Sequence, residues 1–578
     1  MAFKYPNPDA YAFLDEYRGK VFSGKWPTVV EMFEISCMRY PDRPCFRAFH
    51  PTEISLTYSQ VRDLALQISN YLLATGVKKG DKIAVSGKNS PQWAVAYLAV
   101  LYAGAIVVPL DITYNDTDME TLMAFGGVSR LFIDSDRIEN IGTKTGRLSL
   151  VEKYSLEENS KSYSYVFDLK AEGSCRAEKA GEDEVAAILF TSGTTGVPKG
   201  VQLTHANLVS DCYQAQCLMK LYPEDVFYAI LPLHHAYTML AVFFETISVG
   251  ASCVFGKRLV VPQVLKELKL GKVTMFLAVP LLFNKLLSAL MNGVRKKGII
   301  VYGLIRAMMC LSGFLKKAFH INMGKKWFGF LLRQLSLENA RICICGGGPL
   351  PPSTFKMFNE LGIDFVQGYG LTETSPITHL NPVEAYNEAS VGHFIPGVEV
   401  KIINPDSDGN GVIHVRGSVV MKGYYNNEEA TKEVLSEDGW LNTGDVGYEK
   451  DGYLFLTGRA KNVIVTEGGK NVFPEEIEDH FQLHYDVDQI CVCGYVLNAK
   501  EKSEGIAAII YPSADCRKAH PSDLDEHINS IVETVNRELQ SYKKITKVII
   551  APDPLVMTST KKVKRFEVEK IFAKELGK

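Results

Sequence analysis

The chain has 578 residues, of which 46% are hydrophobic and 22% charged, and its formal net charge is −3. That length exceeds what one hydrophobic core organises, so two or more domains are expected. The balanced charge argues against a dedicated nucleic-acid binder. The first ten residues, MAFKYPNPDA, lack the apolar run of a secretory leader.

Twelve cysteines occur without a C-x-x-C pair. Cys343 and Cys345, like Cys491 and Cys493, alternate inside apolar runs, which reads as buried strand thiols in a reducing cytoplasm. The net charge conceals an asymmetry. Between Glu267 and Glu338 there are twelve Lys and Arg and no acid, so the other residues together carry −15.

Residues 1–55 read as an irregular entry with scattered aromatics. Ser59 is the expected N-cap of an apolar-periodic helix ending near Gly76. Lys82–Ser86 reads as a strand, Gln92–Tyr102 as a helix and Ile106–Leu110 as a strand. This alternation predicts a layered α/β core with parallel strands. Residues 135–182 are polar and broken, a surface crossing.

Val185–Phe190 is an apolar, buried-strand segment. It runs into Thr191, Ser192, Gly193, Thr194, Thr195 and Gly196, then Pro198, Lys199 and Gly200. Glycines permit tight turns whose backbone N–H groups curl round an anion, the hydroxyls add donors, and Lys199 adds a point charge suited to phosphate. The segment therefore predicts a polyphosphate-holding loop rather than an ordinary Ser/Gly surface loop. A Walker loop is a poor fit: Pro198 stands at its second glycine, and Gly200 where Ser or Thr should follow the lysine. His205–Tyr222 reads as a helix with its N-terminus near this loop, where its dipole favours an anion.

Leu231–Tyr237, LPLHHAY, places two histidines in an apolar stretch. Ile299–Leu315 is apolar but interrupted by Arg306, short for a membrane span. With Lys316, Lys317, Lys325 and Lys326 flanking Trp327, Phe328 and Phe330, residues 295–335 suit an amphipathic segment on an anionic membrane, with a buried hairpin as the alternative. Arg341–Leu350 ends in Gly346, Gly347 and Gly348, bare backbone that a flat ring can approach closely.

Phe365–Ser375, FVQGYGLTETS, contains Gln367, Gly368, Tyr369, Gly370, Thr372 and Glu373. Tyr369 can stack on a base, Thr372 offers a hydroxyl to phosphate, and Glu373 is a hard oxygen ligand suited to Mg²⁺. Residues 390–456 predict a small β-rich subdomain. Within it, Asp445 in a T-G-D turn can accept from both hydroxyls of a ribose. The last hundred residues alternate strand and helix, a small cap, and end near TSTKKVKR.

Taken in order, TSGTTGVPKG, LPLHHAY, GGGPL, QGYGLTE, NTGD, LTGRAKN and TSTKKVKR resemble the motifs of the AMP-forming adenylating enzymes, and most of all the long-chain fatty acyl-CoA synthetases. The resemblance spans nearly the whole chain. It implies an α/β fold: a large N-terminal domain (1–460) of layered α/β subdomains plus a small β-rich subdomain, and a small mobile C-terminal α+β domain (461–578).

It also implies an ATP-dependent ligase that makes acyl-adenylate and then acyl-CoA, with Mg²⁺, ATP and CoA as its small molecules. The alternatives are transfer to an acyl-carrier protein and a non-catalytic lipid binder. The implied ATP site comprises Thr191–Gly196, Lys199, Gly346–Gly348, Gln367–Gly370, Thr372, Asp445 and Arg459. Glu373 holds the metal, and His235 and Gly346 line the acyl pocket. Lys461 is the hinge. Gly468 and Gly469 lie on the CoA side, in a loop able to swing. Lys562 is the catalytic lysine, from the pattern Thr560-x-Lys562-x-x-Arg565, with its neighbour Lys561 as the other assignment. A cytoplasmic enzyme touching the inner face of a membrane through 295–335 is the expected setting.

Overall fold

The computed structural model describes residues 3–141, 151–191, 199–467, 470–498, 503–558 and 562–576. Two large sheets form most of the N-terminal part. One has seven strands in the order 423–424, 199–204, 185–191, 106–109, 82–86, 128–133, 152–155. Its last five strands run parallel, and 185–191 turns back on 199–204 antiparallel. The second has nine, in the order 393–394, 377–380, 364–370, 342–345, 275–278, 226–229, 252–255, 44–48, 54–57. Its centre is parallel and its edges antiparallel.

Helix Pro91–Tyr102 is apolar all round, and every residue from Pro91 to Leu101 is buried. Such a helix has no solvent face and belongs inside a core. Ser90 caps it by accepting from the Trp93 N–H, and Pro91 needs no donor at the first turn. Residues 398–459 form the β-rich subdomain as a four-stranded antiparallel sheet. The smaller C-terminal part is α+β: strands 487–498, 503–512 and 547–550 carry helices 514–519 and 524–538.

Three local expectations need correction. The first long helix is capped by Thr57, not Ser59: Thr57 and Gln60 satisfy each other's backbone N–H, while the Ser59 hydroxyl donates to the Pro41 carbonyl. The helix after the Ser/Gly loop spans His205–Ala215, shorter than expected. It starts where strand 199–204 ends, roughly 20 Å of strand away from the loop, and its first N–H groups are taken up by a Thr204–Asn207 capping box. Its dipole therefore does not serve that loop. Among the twelve thiols, Cys175 and Cys310 are exposed rather than buried.

The acid-free block holds the end of helix 261–271, strand 275–278 and three further helices, 280–295, 299–319 and 324–334. Helix Ile299–Phe319 is set inside out. Arg306 pairs with the buried Glu360 (3.2 Å), and Lys316 is buried against Asp364 (2.7 Å), Asn359 (2.8 Å) and the Ile363 carbonyl (3.1 Å). Ile299, Ile300, Leu304, Leu311, Phe314 and Phe319 face outward, with Ile300 84% exposed. The buried-hairpin alternative therefore does not hold for this helix.

Candidate active site

The site begins at the hairpin that carries the Ser/Gly loop. Thr191 and Lys199 face each other at the end of strands 185–191 and 199–204, and the Thr191 hydroxyl donates to the Lys199 carbonyl at 3.4 Å. The expected phosphate contacts Ser192, Gly193, Thr194, Thr195 and Gly196 lie outside the described residues, as do Gly468, Gly469, Thr560 and Lys561.

The Lys199 ammonium sits 4.9 Å from the ring centroid of Tyr424, whose hydroxyl donates to Glu373 Oε1 at 2.9 Å. Tyr424 thus stands between the lysine and the carboxylate. Burial and Glu373 both push its hydroxyl up, so it stays protonated as a donor. Glu373 is fixed on a one-turn 3₁₀ segment, Thr372–Thr374, stapled by the Leu371 N–H to the Thr374 hydroxyl (2.8 Å). The turn crowds its neighbour: a Cβ on Gly370 would lie 1.6 Å from the Pro376 carbonyl oxygen, so no side chain fits there. Lys199, Glu373, Tyr424, Thr443, Arg459 and Lys461 line one cavity of about 320 Å³.

Asp445 and Arg459 are opposite one another on antiparallel strands 441–450 and 453–459. Arg459 Nε lies 2.9 Å from Asp445 Oδ1, and the Tyr369 hydroxyl donates to Asp445 Oδ2 at 2.8 Å. Both carboxylate oxygens therefore already have protein donors, and a sugar hydroxyl would share them. Burial raises the Asp445 carboxyl, while Arg459 and Tyr369 oppose the rise. Tyr369 is buried with its hydroxyl committed to this contact, a tether that the stacking role read from sequence did not include. Gln367 is buried on the same strand, and Gly368 is half-buried.

The glycine turn at Gly346–Gly348 follows strand 342–345. A Cβ on Gly346 would come within 2.9 Å of the Tyr237 ring, so the ring of LPLHHAY packs directly on bare backbone. Tyr237 also donates to the Ile344 carbonyl at 3.1 Å. His235 and His234 have ring centroids 4.2 Å apart, and His234 Nε2 lies 3.3 Å from Asp111 Oδ2. Burial, His234 and Lys562 push His235 down to about 3, against the pull of Asp111, so its ring is neutral.

Lys562 reaches this region from the C-terminal part. Thr558 and Lys562 bond to one another: the Thr558 N–H donates to the Lys562 carbonyl (2.8 Å), and the Lys562 N–H to the Thr558 hydroxyl (3.1 Å). A Cβ on Gly348 would be 3.8 Å from Lys562 Cε. The residue as a whole is solvent-exposed, and the crowding acts on its ammonium end. Burial there and repulsion from Arg459 lower the ammonium to about 8, with Asp445 opposing.

Two sets of contacts steady this arm. Arg565 forks onto Glu478 (2.7 and 2.6 Å) and donates to the Val492 carbonyl (2.7 Å). Across the two parts of the chain, Lys285 pairs with Asp488 (3.1 Å), and Asn284 donates to Gln482 (3.2 Å). Lys461 sits on a short turn, 460–462, at the cavity wall, its ammonium lowered by burial and by Arg459.

Tyr424 and Glu478 were not legible as site residues. Tyr424 lies in GYYNN, a motif without chemistry of its own, and enters the site only because strand 423–424 pairs with 199–204. Glu478 is one of four acids in PEEIED and is singled out by distant partners, Arg565 and the Val492 N–H.

The AMP-binding enzyme family matches residues 33–425, and the AMP-binding enzyme C-terminal domain matches 461–578. A chloroplastic long-chain-fatty-acid–[acyl-carrier-protein] ligase of Arabidopsis thaliana is 27% identical over 96% of this chain and 87% of its own length. A long-chain-fatty-acid–CoA ligase of Bacillus subtilis is 27% identical over 81% of this chain and 82% of its own. Among solved structures, an anthranilate CoA ligase in complex with anthranoyl-AMP superposes with a TM-score of 0.77, at 20% identity, over 95% of this chain and 98% of that one.

Proposed function

The chain belongs to the AMP-binding enzyme family, and from that premise we propose that it activates a long-chain fatty acid with ATP and passes the acyl group to CoA. In the first step a carboxylate oxygen of the acid attacks the α-phosphorus. The bond from that phosphorus to the bridging oxygen breaks, and pyrophosphate leaves with the electron pair. In the second step the CoA sulfur, its proton lost, attacks the acyl carbon, and AMP leaves on its phosphate oxygen.

The first step brings an anion to a polyanion. Fixed positive charge must offset the repulsion, and it acts more strongly where water is excluded. Lys199, Arg459 and Lys461 around one cavity supply such charge for the phosphates. Lys562 approaches from the other side, past Gly348, where the incoming carboxylate would meet the α-phosphorus. His235 is neutral and lines the acyl side without competing for the carboxylate. Asp445, with Arg459, holds the ribose; Thr191, Thr372 and the glycine turn complete the nucleotide contacts.

Glu373 fits a Mg²⁺ ion. A single carboxylate in a polar cavity suits a cation that keeps most of its waters. Bound with ATP, the ion would neutralise phosphate charge. For the second step a rotation at Lys461 would withdraw Lys562 and open the path for the thiol, a hinge-type switch.

The observation that carries the reading is the approach of Lys562, from the C-terminal part, to Gly348 of the N-terminal part, where a Cβ would lie 3.8 Å from its Cε; the charges of Arg459 and Asp445 act on its ammonium. The test is exchange of pyrophosphate into ATP. It should depend on fatty acid, rise with chain length across a graded panel, and give AMP release when CoA is added. Hydrolysis to ADP and orthophosphate would refute it. A carrier protein that outcompetes CoA would reassign the acceptor.

Helix 299–319 supports a finer reading of setting. At 21 residues it is long and apolar enough to cross a bilayer. It is held along the protein by Arg306 and Lys316, however, so its apolar face would lie in the plane of an anionic cytoplasmic leaflet, with the basic block 295–335 at the headgroups. Vesicles containing phosphatidylglycerol should sediment the enzyme, and phosphatidylcholine vesicles should do so less. No difference, with no binding to either, would exclude it.

A further inference from the structure

We propose that the C-terminal part holds a Zn²⁺ ion on Asp486, Cys516 and His527, none of which lines the cavity of the candidate active site. A carboxylate oxygen, a thiol sulfur and a ring nitrogen of these three residues all lie within 4.8 Å of one another. They come from three segments: the residue before strand 487–498, helix 514–519, and the first turn of helix 524–538.

The backbone under each ligand is tied. The Ser513 N–H donates to the Asp486 carbonyl (2.8 Å). The Ser513 hydroxyl accepts from the Cys516 N–H (3.1 Å). The His527 N–H donates to the Asp523 carbonyl (2.9 Å). His527 Nε2 already points at Asp486 Oδ2 (3.1 Å). Behind it the His520 ring stacks on His527 at 3.8 Å between centroids, and that ring is itself held to Asp523 (3.0 Å). A ligating imidazole so buttressed keeps its orientation.

The chemistry of the set selects the ion. One thiolate, one carboxylate and one neutral imidazole balance a divalent charge and mix soft and hard donors, which suits Zn²⁺ and is poor for Mg²⁺ or Ca²⁺. Bonds of about 2.0–2.3 Å need ligand atoms roughly 3.3–3.8 Å apart in a tetrahedron. Small side-chain rotations, parting His527 from Asp486 slightly and drawing in Cys516, would give that spacing and leave the fourth position to solvent. The ion would pin both helices to the start of strand 487–498, so that the C-terminal part moves as one body. Asp111, His234 and His235 also lie within 4.8 Å of one another, but the Lys562 charge acts on His235 and opposes a second cation there.

The test uses tag-free full-length protein, loaded with Zn²⁺, freed of excess by gel filtration and assayed for metal, with Co²⁺ as a spectroscopic substitute. Wild type and His234→Gln should each retain the ion, and Co²⁺ should give a thiolate-to-metal charge-transfer band. Cys516→Ser and His527→Gln should lose the ion, and the Cys516→Ser protein should lose the band. Zn²⁺ should raise the thermal transition of wild type but not of Cys516→Ser, whose fatty-acid-dependent pyrophosphate exchange stays intact. Failure of wild type to retain Zn²⁺ would overturn the proposal. So would retention by Cys516→Ser and His527→Gln together with loss from His234→Gln.

Discussion

The two halves of the candidate site are built differently. The N-terminal half is set in sheet and hairpin: Lys199 at a strand start, Asp445 and Arg459 paired across a ladder, Glu373 on a stapled turn. Beyond Lys461 at the cavity wall, the C-terminal half offers Lys562, held by two hydrogen bonds to Thr558 and steadied by the Arg565–Glu478 fork. A cradle that must hold a triphosphate through both steps gains from rigid elements. A charge needed for only one step gains from an arm that can leave.

That contrast can be broken or sharpened by substitution. The largest effect is expected from Lys562→Ala, which should slow fatty-acid-dependent pyrophosphate exchange by about 10²–10³ in kcat, the scale of losing a preorganised charge at a reacting centre. Next, Glu373→Gln should cost about 10² in the same assay and raise the Mg²⁺ concentration needed for half-maximal rate. Glu478→Gln leaves Arg565 without its charged fork; loosening of the arm should cost about tenfold in exchange, within the range for a hydrogen bond to a charged group. If Glu478→Gln instead lowered nucleotide affinity as much as it lowered rate, the division between the halves would be lost.

A milder probe is pH. The Lys562 ammonium is lowered to about 8 by burial and Arg459, with Asp445 opposing and His235 neutral beside it. Below that value the lysine is charged, so adenylation should hold and then fall as pH rises through it. Lys562→Arg should keep part of the rate and move the fall to higher pH. The smallest effect is expected from Tyr424→Phe, up to about tenfold, the low end of the about 1.5–3 kcal/mol for a hydrogen bond to a charged group.

Much of this was legible in the sequence, for physical reasons. Strands Lys82–Ser86 and Val185–Phe190 are short apolar runs bounded by turn residues, and they appear where read. Lys199 and Glu373 could be named from their own chemistry and Arg459 through the motif resemblance, and the fold gathers the three round one cavity. What could not be read were relations between distant residues. Nothing local says that Tyr424 bridges Lys199 and Glu373, or that Tyr369 tethers Asp445. Helices 91–102 and 299–319 are both largely apolar, the second interrupted by Arg306, Lys316 and Lys317, yet one is almost wholly buried and the other turns its apolar side out. Only the partners Glu360 and Asp364, far along the chain, decide which way Arg306 and Lys316 point.

The central claim is that Lys562 acts in the first step and is dispensable in the second. The most direct measurement gives Lys562→Ala protein ready-made acyl-adenylate and CoA, and follows thioester formation beside its pyrophosphate exchange. The account predicts near wild-type thioester formation in a variant whose exchange has collapsed. An equal collapse of both would contradict it.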